Sequence, residues 1–366
     1  MVDGIKGRLA AWATGRGPVG DTAAGELDSP IGTALMVLES PDHLTQVLDS
    51  DLVTPGTTLF VPGQGGSADG PLIVGYEGSL SAPGTEFSMS SGTDTFYLQV
   101  QSYGISEYMS VIGPTLIRIA DVADFAVFLA DADRARLDGD FVDFLGHPVI
   151  QLADLAGLGA AVTGDGPRRR LYVGADGRLS LSPGGCRLGS VGDDWATLQA
   201  EWSRVAGADA HPGSACLGDV LPEQVRVPVL ASRPWLSRYF AALDGIRRIR
   251  VMGLPVPRVS GFGGRLMAGL PDPSDTMQSS DATGTDLPLL LWTDEEAYLY
   301  SAVTHRTFRL ALPAAELVET LMVCGSVEAA ASFADRDALR QVTACFGEAG
   351  VRLTTAEPLA AGASVR

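Results

Sequence analysis

The hydrophobic and polar positions of residues 286–357 follow a strand period first and a helix period afterwards. An apolar run over 289–293 is followed, after an acidic turn, by the aromatic segment 297–300, and residues 307–310 alternate between polar and apolar. Alternation and aromatic content are typical of strands, and the short gaps between the segments suit turns. The pattern therefore predicts a three-stranded meander.

Three helices are predicted to follow these strands. Pro313 suits a first helical turn, and apolar residues then recur at three- and four-residue spacing until Gly325. Ser326 and Asp335 are favourable N-cap residues for a short second helix and for a third helix over 335–349. The apolar face of the third helix consists of Leu339, Val342 and Phe346.

Residues 1–155 are predicted to form an N-terminal α+β domain, because β-prone runs and helical patterns alternate along them. A glycine-rich sequence at 63–66 separates two strands within 57–74 and predicts a hairpin turn. This sequence has no lysine followed by serine or threonine, and no helical pattern comes after it. A phosphate-binding loop is therefore not predicted there.

Residues 156–270 form a middle region in this prediction. Within them, 168–205 indicate two strands joined by a turn at Asp176-Gly177 and followed by a helix. This order is similar to the SPASM domain of radical SAM peptide-modifying enzymes. Such domains bind iron–sulfur clusters through several cysteines, whereas only Cys186 and Cys216 lie here, so the resemblance implies a domain without a cluster. An ordinary hairpin and helix is the alternative interpretation.

Residues 271–285 are rich in Asp, Ser, Thr, Gly and Pro and are predicted to be a linker. The segment 286–357 should then be a separable module. The expected fold class is α+β in a multi-domain chain.

Charge and length exclude several functions. The 366-residue chain has a formal net charge of -18, and residues 284–353 contain ten acidic residues against five arginines. Nucleic-acid binding is therefore disfavoured, because a phosphate backbone attracts basic surfaces. No apolar run is long enough for a membrane span or a signal-peptide core, so we expect a cytoplasmic protein that does not bind membranes.

The sequence contains no recognisable catalytic or cofactor motif. The cysteines are far apart and form no Cys-x-x-Cys pair, so neither a metal site nor a disulfide framework is predicted. They are Cys186, Cys216, Cys324 and Cys345. The sequence therefore predicts a protein that is not an enzyme and needs no cofactor.

The C-terminal segment resembles the PqqD-like RiPP recognition element, a winged helix-turn-helix module that binds the leader of a ribosomally made precursor peptide. The resemblance lies in the order of three strands and three helices, in the hairpin LLLWTDEEAYLYS and in the last helix ALRQVTACFGEAGV. A structural winged-helix subdomain without a ligand is the alternative interpretation.

The resemblance implies how a peptide would bind. In this family the leader adds as a strand to the third strand, here 305–310, and lies against the third helix, here 335–349. The residues implied to contact the peptide are His305, Arg306, Thr307, Phe308, Arg309, Leu310, Arg336, Leu339, Arg340, Thr343 and Phe346. The alternation predicts Phe308 and Leu310 on one face of the strand and His305, Thr307 and Arg309 on the other. The two arginines of the helix should contact acidic leader residues.

A chain of this length with a recognition element at its end is similar to the recognition proteins of daptide-type pathways. The resemblance implies partnership with peptide-modifying enzymes of the same pathway, an oxidoreductase or an aminotransferase. Two other functions stay open, namely a structural or regulatory subunit of a peptide-modifying enzyme and an enzyme of unrecognised type.

Overall fold

A computed structural model describes residues 2–17, 32–63, 65–66, 70–91, 94–162, 164–207, 213–271, 281 and 284–355. The chain divides into two compact units. The first comprises Met1–Phe128 and Val149–Ser232, and the second comprises Leu129–Pro148 and Arg233–Arg366. Both combine helices with a β-sheet, which is compatible with the predicted α+β class.

The first unit contains a ten-stranded mixed sheet. Its strands are β1 (Leu35–Leu38), β2 (Thr58–Pro62), β3 (Leu72–Gly78), β4 (Thr85–Ser91), β5 (Asp94–Ser102), β6 (Thr115–Arg118), β7 (Ile150–Leu152), β8 (Arg170–Val173), β9 (Arg178–Ser180) and β10 (Gly189–Ser190). Their order across the sheet is β10-β9-β8-β1-β2-β3-β4-β5-β6-β7. β1 is parallel to both neighbours, β2 and β8, and is buried along its whole length, as expected for an apolar central strand.

The helices that precede residue 232 are α1 (Val2–Thr14), α2 (Leu44–Leu48), α3 (Val122–Asp138), α4 (Trp195–Val205), α5 (Ser214–Leu217) and α6 (Glu223–Ala231). Short 3-10 helices span Pro41–His43, Tyr103–Tyr108, Phe144–Gly146 and Leu155–Leu158. Helix α1 packs into the core of the first unit through Leu9 and Trp12. The Trp12 indole N–H also donates to the backbone oxygen of Leu171 in β8, at 2.9 Å.

Two expectations for this unit are wrong. β2 and β3 are parallel, with Thr58 opposite Leu72, so the glycine-rich sequence at 63–66 does not form the predicted hairpin turn. Of these four residues, Gln64 lies outside the described part. The sheet also continues across the boundary predicted at residue 155, because β8 completes it beside β1. The direction of strand pairing decided the first point, and pairing between distant segments decided the second.

The hairpin expected in 168–205 is present. β8 and β9 are antiparallel around the Asp176-Gly177 turn, where Gly177 takes the left-handed φ of 78° that such a turn requires. Helix α4 follows, with the Asp194 side chain capping it by accepting from the Thr197 N–H. The predicted hairpin and helix are therefore confirmed. These strands belong to the large sheet and do not form a separate middle domain.

The second unit contains a four-stranded antiparallel sheet of β11 (Arg258–Val259), β12 (Leu289–Trp292), β13 (Ala297–Ser301) and β14 (Arg306–Leu310). Its helices are α7 (Leu236–Val251), α8 (Leu312–Cys324), α9 (Val327–Ala330) and α10 (Arg336–Glu348). The predicted order of three strands and three helices is confirmed, and β11 extends the sheet by one strand. The predicted caps are also present, since Ser326 and Asp335 accept backbone hydrogen bonds and Gly325 ends α8 at a φ of 74°.

Both faces of this sheet are covered. Leu290 and Leu299 pack with α8, α9 and α10 in one apolar core. On the opposite face, Leu291 and Tyr300 meet α7 at Gly245, where a Cβ would lie 3.2 Å from Leu291 and 3.3 Å from Tyr300. The absence of a side chain at Gly245 thus lets the helix approach closely. Because α7 covers this second face, β13 is buried along its whole length.

The linker prediction implied that the segment 286–357 is a separable module, but its core side chains also bond to residues that precede the predicted linker. The fully buried Glu319 of α8 accepts hydrogen bonds from Ser260, Leu266 and Met267, which all precede the predicted linker. Most of residues 271–285 lie outside the described part, but Asp281 is described, is buried and pairs with Arg265.

Candidate peptide-binding edge

Strand β14 forms an edge of the four-stranded sheet. Among the described residues it pairs with β13 and with no other strand. Its five residues are less buried than those of β12 and β13. An unpaired edge of this kind presents free backbone N–H and C=O groups to which an extended peptide could bind.

The alternation of hydrogen bonds identifies which residues face outward. The Thr293 N–H donates to the backbone oxygen of Glu296 at 2.8 Å. In the register of β12 and β13, Trp292 and Ala297 are then a non-hydrogen-bonded pair, and Leu291 and Tyr298 are a hydrogen-bonded pair. Because neighbouring residues of a strand direct their backbone groups to opposite sides, Leu299 then points towards β14. Its partner there is Phe308. The outward N–H and C=O groups of β14 consequently belong to Thr307 and Arg309.

The side chains of β14 alternate as the sequence predicted. Phe308 and Leu310 pack against the core shared with the helices. Thr307 and Arg309 lie opposite Tyr300 and Tyr298 and belong to the other face. His305 is not part of the strand, since it lies in the preceding turn with a left-handed φ of 52°. The strand therefore begins one residue later than expected.

Helix α10 lies beside β14 at one end. The rings of Phe308 and Phe346 meet edge to face, with centroids 5.5 Å apart. The Arg306 guanidinium lies 4.9 Å from the centre of the Phe308 ring and donates to the backbone oxygen of Ala349 at 3.1 Å. Strand and helix are thus joined where β14 begins and α10 ends.

Helix α10 carries the other predicted residues. Leu339 is buried in the core, while Arg336 and Arg340 are exposed. Arg340 makes an ion pair with Asp337 at 3.2 Å, with both side chains largely in solvent. The Thr343 hydroxyl donates to the backbone oxygen of Leu339 at 2.9 Å, and Thr343 is half-buried.

The structure adds Glu296, which the sequence pattern did not single out. Its carboxylate accepts from the Arg309 guanidinium and from the Tyr298 hydroxyl. The hydrogen bond from Tyr298 to Glu296 raises the pKa of this hydroxyl. Glu296 lies in the β12–β13 turn, so only the pairing of β13 with β14 brings it beside Arg309.

The first unit contains a different cluster, a buried group of ion pairs. Arg170 donates to Asp165 at 2.7 Å and to Asp154 at 2.8 Å, and Asp154 also accepts from Arg118 at 3.2 Å. Burial opposes the charge of Arg170, but the Asp165 and Asp154 carboxylates together raise its pKa above the ordinary value. Arg170 further donates to the backbone oxygen of Trp12 and so ties α1 to the sheet. The geometry is that of a structural network.

A second polar group of the first unit surrounds Glu39, directly after β1. Its carboxylate accepts from Ser79 at 2.6 Å, from Ser81 at 2.8 Å and from Tyr172 at 3.1 Å. Burial, and next the negative charge of Glu39, raise the pKa of Tyr172. The hydroxyl donors are directed to Glu39, which indicates a role in holding the strand ends together.

Other kinds of site find no support in the described residues. No group of three or more His, Cys, Asp or Glu side chains there could hold a metal ion. No helix in the same residues is long and apolar enough to cross a membrane. Cys216 is buried, and this burial raises the pKa of its thiol, which disfavours the reactive thiolate.

Comparisons with known proteins give no match: no family model, no curated protein and no solved structure corresponds to this chain.

Proposed function

We propose that this protein is a non-catalytic recognition protein that binds the leader of a ribosomally made precursor peptide along β14. The observation that carries the proposal is the five-residue edge of β14 beside α10, which pairs only with β13 in the described part of the protein. It is supported by the order of strands and helices, which resembles the PqqD-like winged-helix module. The partners would be the peptide-modifying enzymes of the same pathway, an oxidoreductase or an aminotransferase in a daptide-type pathway.

The mechanism is the addition of the peptide to the sheet as a further strand. The backbone groups of Thr307 and Arg309 would bond to the peptide backbone and supply affinity for any sequence. Phe308 and Phe346 would form the apolar base of the site. The exposed side of α10 would determine which peptide sequences bind. The net charge of -18 supports a peptide ligand over a nucleic acid.

The first experiment compares two prolines in the full chain, with a candidate precursor peptide as the ligand. Thr307→Pro removes an outward N–H and should leave the protein folded while abolishing most of the binding. Phe308→Pro removes the N–H that faces Leu299 and should unfold the second unit. Isothermal titration and circular dichroism melts measure the two effects.

Thr307→Ala is the matched control, because it changes the same side chain and keeps the N–H. It should bind the precursor like the parent protein. If Thr307→Pro is folded and also binds like the parent, strand addition at β14 is wrong.

A second experiment tests the absence of catalysis. The purified protein is incubated with the precursor peptide and common redox and amino-group cofactors, and the peptide mass is measured. We expect an unchanged mass, and a reproducible mass shift would show that the protein is an enzyme.

A further inference from the structure

We infer that the outer face of β4 and β5, together with the crossover that follows β5, is a docking surface for a partner protein with a basic face. The partner would present arginine or lysine side chains among apolar ones. The surface belongs to the first unit, whereas β14 belongs to the second. The proposal therefore goes beyond peptide binding at β14 and stands even if that binding fails.

The face of β4 and β5 that points away from the core is open to solvent. The inward residues of these strands are buried in the apolar core of the first unit: Phe87, Met89, Leu98 and Val100. The alternate residues point outward, and among them Tyr97 is 54% exposed. On other strands of the sheet the outward residues are covered, since Met36 of β1, Leu59 of β2 and Ile117 of β6 are fully buried. The outer side of the sheet is thus covered unevenly and is open at β4 and β5.

Carboxylates flank Tyr97 on this face. Ser88 lies opposite Tyr97 on one side and opposite Glu77 of β3 on the other. Glu86 lies two residues before Ser88 and therefore on the same face. Both glutamates are exposed. A guanidinium group can stack on a tyrosine ring and pair with a carboxylate beside it, so the face suits an arginine of a partner.

The crossover between β5 and β6 borders this face with apolar side chains. It returns to the sheet beside β5, because the Gln99 N–H donates to the Pro114 backbone oxygen at 3.0 Å. Ile105, Tyr108 and Ile112 of the crossover are exposed, with 84% of Tyr108 in solvent. Single exposed apolar residues are ordinary, whereas grouped ones mark interaction surfaces, and tyrosine is enriched in protein interfaces. The surface therefore offers apolar contact area as well as charge.

The charge of this part of the chain indicates the chemistry of the partner. Residues 17–117 contain twelve Asp and Glu residues and no Lys or Arg, so they carry a formal charge of -12. Arg118 is the first Lys or Arg after Arg16. Such an excess of one sign attracts a surface of the opposite sign and repels an acidic one. A basic partner complements this surface.

The experiment selects random short peptides from a display library on the full chain. The selected peptides are resynthesised, and fluorescence anisotropy at low salt measures their binding to the parent protein and to its variants. Tyr97→Ala with Glu86→Gln alters the proposed surface, and Tyr108→Ala alters it at the crossover. Circular dichroism melts verify that each variant is folded.

Two further variants serve as controls. Leu137→Ala with Glu201→Gln removes an exposed apolar side chain and an exposed carboxylate from other elements, so it changes the net charge equally. Thr307→Pro identifies peptides that bind at β14, and these are set aside.

We expect the remaining peptides to carry Arg or Lys next to aromatic or aliphatic residues. Their binding should be about tenfold weaker on both variants of the surface and unchanged on the control, as for the loss of an aromatic contact at the centre of an interface. Replacement of their basic residues by glutamine should weaken binding to the parent to a similar extent.

Three results would overturn the proposal. Equal weakening on the control would mean that net charge alone attracts the peptides. The absence of any peptide that distinguishes the surface variants from the parent would exclude docking there, and distinguishing peptides without basic residues would exclude a basic partner. The result with Thr307→Pro bears on β14 alone, so the two proposals fail separately.

Discussion

The edges of the two sheets differ in length. The ten-stranded sheet ends in β10 and β7, with two and three residues, and the four-stranded sheet ends in β11 and β14, with two and five. Short edges present few unpaired backbone groups and resist the addition of another chain. In the described part of the protein, β14 thus offers the longest edge for a peptide. A long sheet does not by itself provide a binding edge.

The arginines of the two regions differ in burial. In the first unit, Arg118 and Arg170 are buried and held by carboxylates at short distance. On β14 and α10, Arg309 and Arg340 are mostly exposed, and their ion pairs are open to solvent. Removing a partner from a buried pair leaves an uncompensated charge, whereas an exposed pair costs little to break. The first set therefore stabilises the fold, whereas the second can exchange its partners at little cost in free energy.

The largest effect on stability is expected when the C-terminal sheet is separated from α7, the helix that covers its second face. A fragment that begins at Asp281 lacks α7 and β11, so it exposes Leu291 and Tyr300 to water. We expect it to aggregate or to form a loosely packed state without a cooperative thermal transition. Near-ultraviolet circular dichroism and dye binding measure this, with the full chain as control. A cooperative, native-like melt of the fragment would show that the module is separable after all.

Next in size is the removal of a buried carboxylate. Asp154→Ala leaves Arg118 and Arg170 without one of their partners and should lower the free energy of unfolding by about 3–5 kcal/mol. Urea denaturation measures this loss. The control is Glu201→Ala, which breaks an exposed pair with Arg204 and should change stability very little. Equal effects of the two substitutions would remove the distinction between buried and exposed arginines.

A smaller loss of stability is expected from a substitution where α10 meets β14. Phe346→Ala removes a ring that is 7% exposed and contacts Phe308, so it should cost about 3 kcal/mol of stability and weaken peptide binding. Cys345→Ala, at the exposed neighbouring position, is the control and should leave both unchanged. Near-parental stability of Phe346→Ala would mean that the helix does not pack on the edge strand.

The smallest effect is expected from an exposed arginine of the edge itself. Arg309→Gln breaks the pair with Glu296 and should lower the free energy of unfolding by less than about 1 kcal/mol, because the Arg309 side chain is 71% exposed. The shift of the urea midpoint measures it. A loss as large as that of Asp154→Ala would place Arg309 among the structural arginines and weaken the case for a ligand surface.

The sequence predicted the C-terminal elements well because their signals are local. Caps at Ser326 and Asp335, the stop at Gly325 and the alternation across β14 depend on residues a few positions apart. The candidate site was predicted only in part. The joining of Arg306 to Ala349 and of Arg309 to Glu296 depends on how strand and helix pack, which the pattern does not encode.

By itself the sequence determined the meander, the helices that follow it, the Asp176-Gly177 hairpin and the acidic character that disfavours nucleic acids. Only the tertiary structure decided the parallel pairing of β1 with β8, the cover that α7 gives to the C-terminal sheet and the position of β14 at its edge. The reason is physical. Turns, caps and periodicity are fixed by neighbouring residues, whereas strand order follows from burial of apolar surface contributed by segments far apart in the chain.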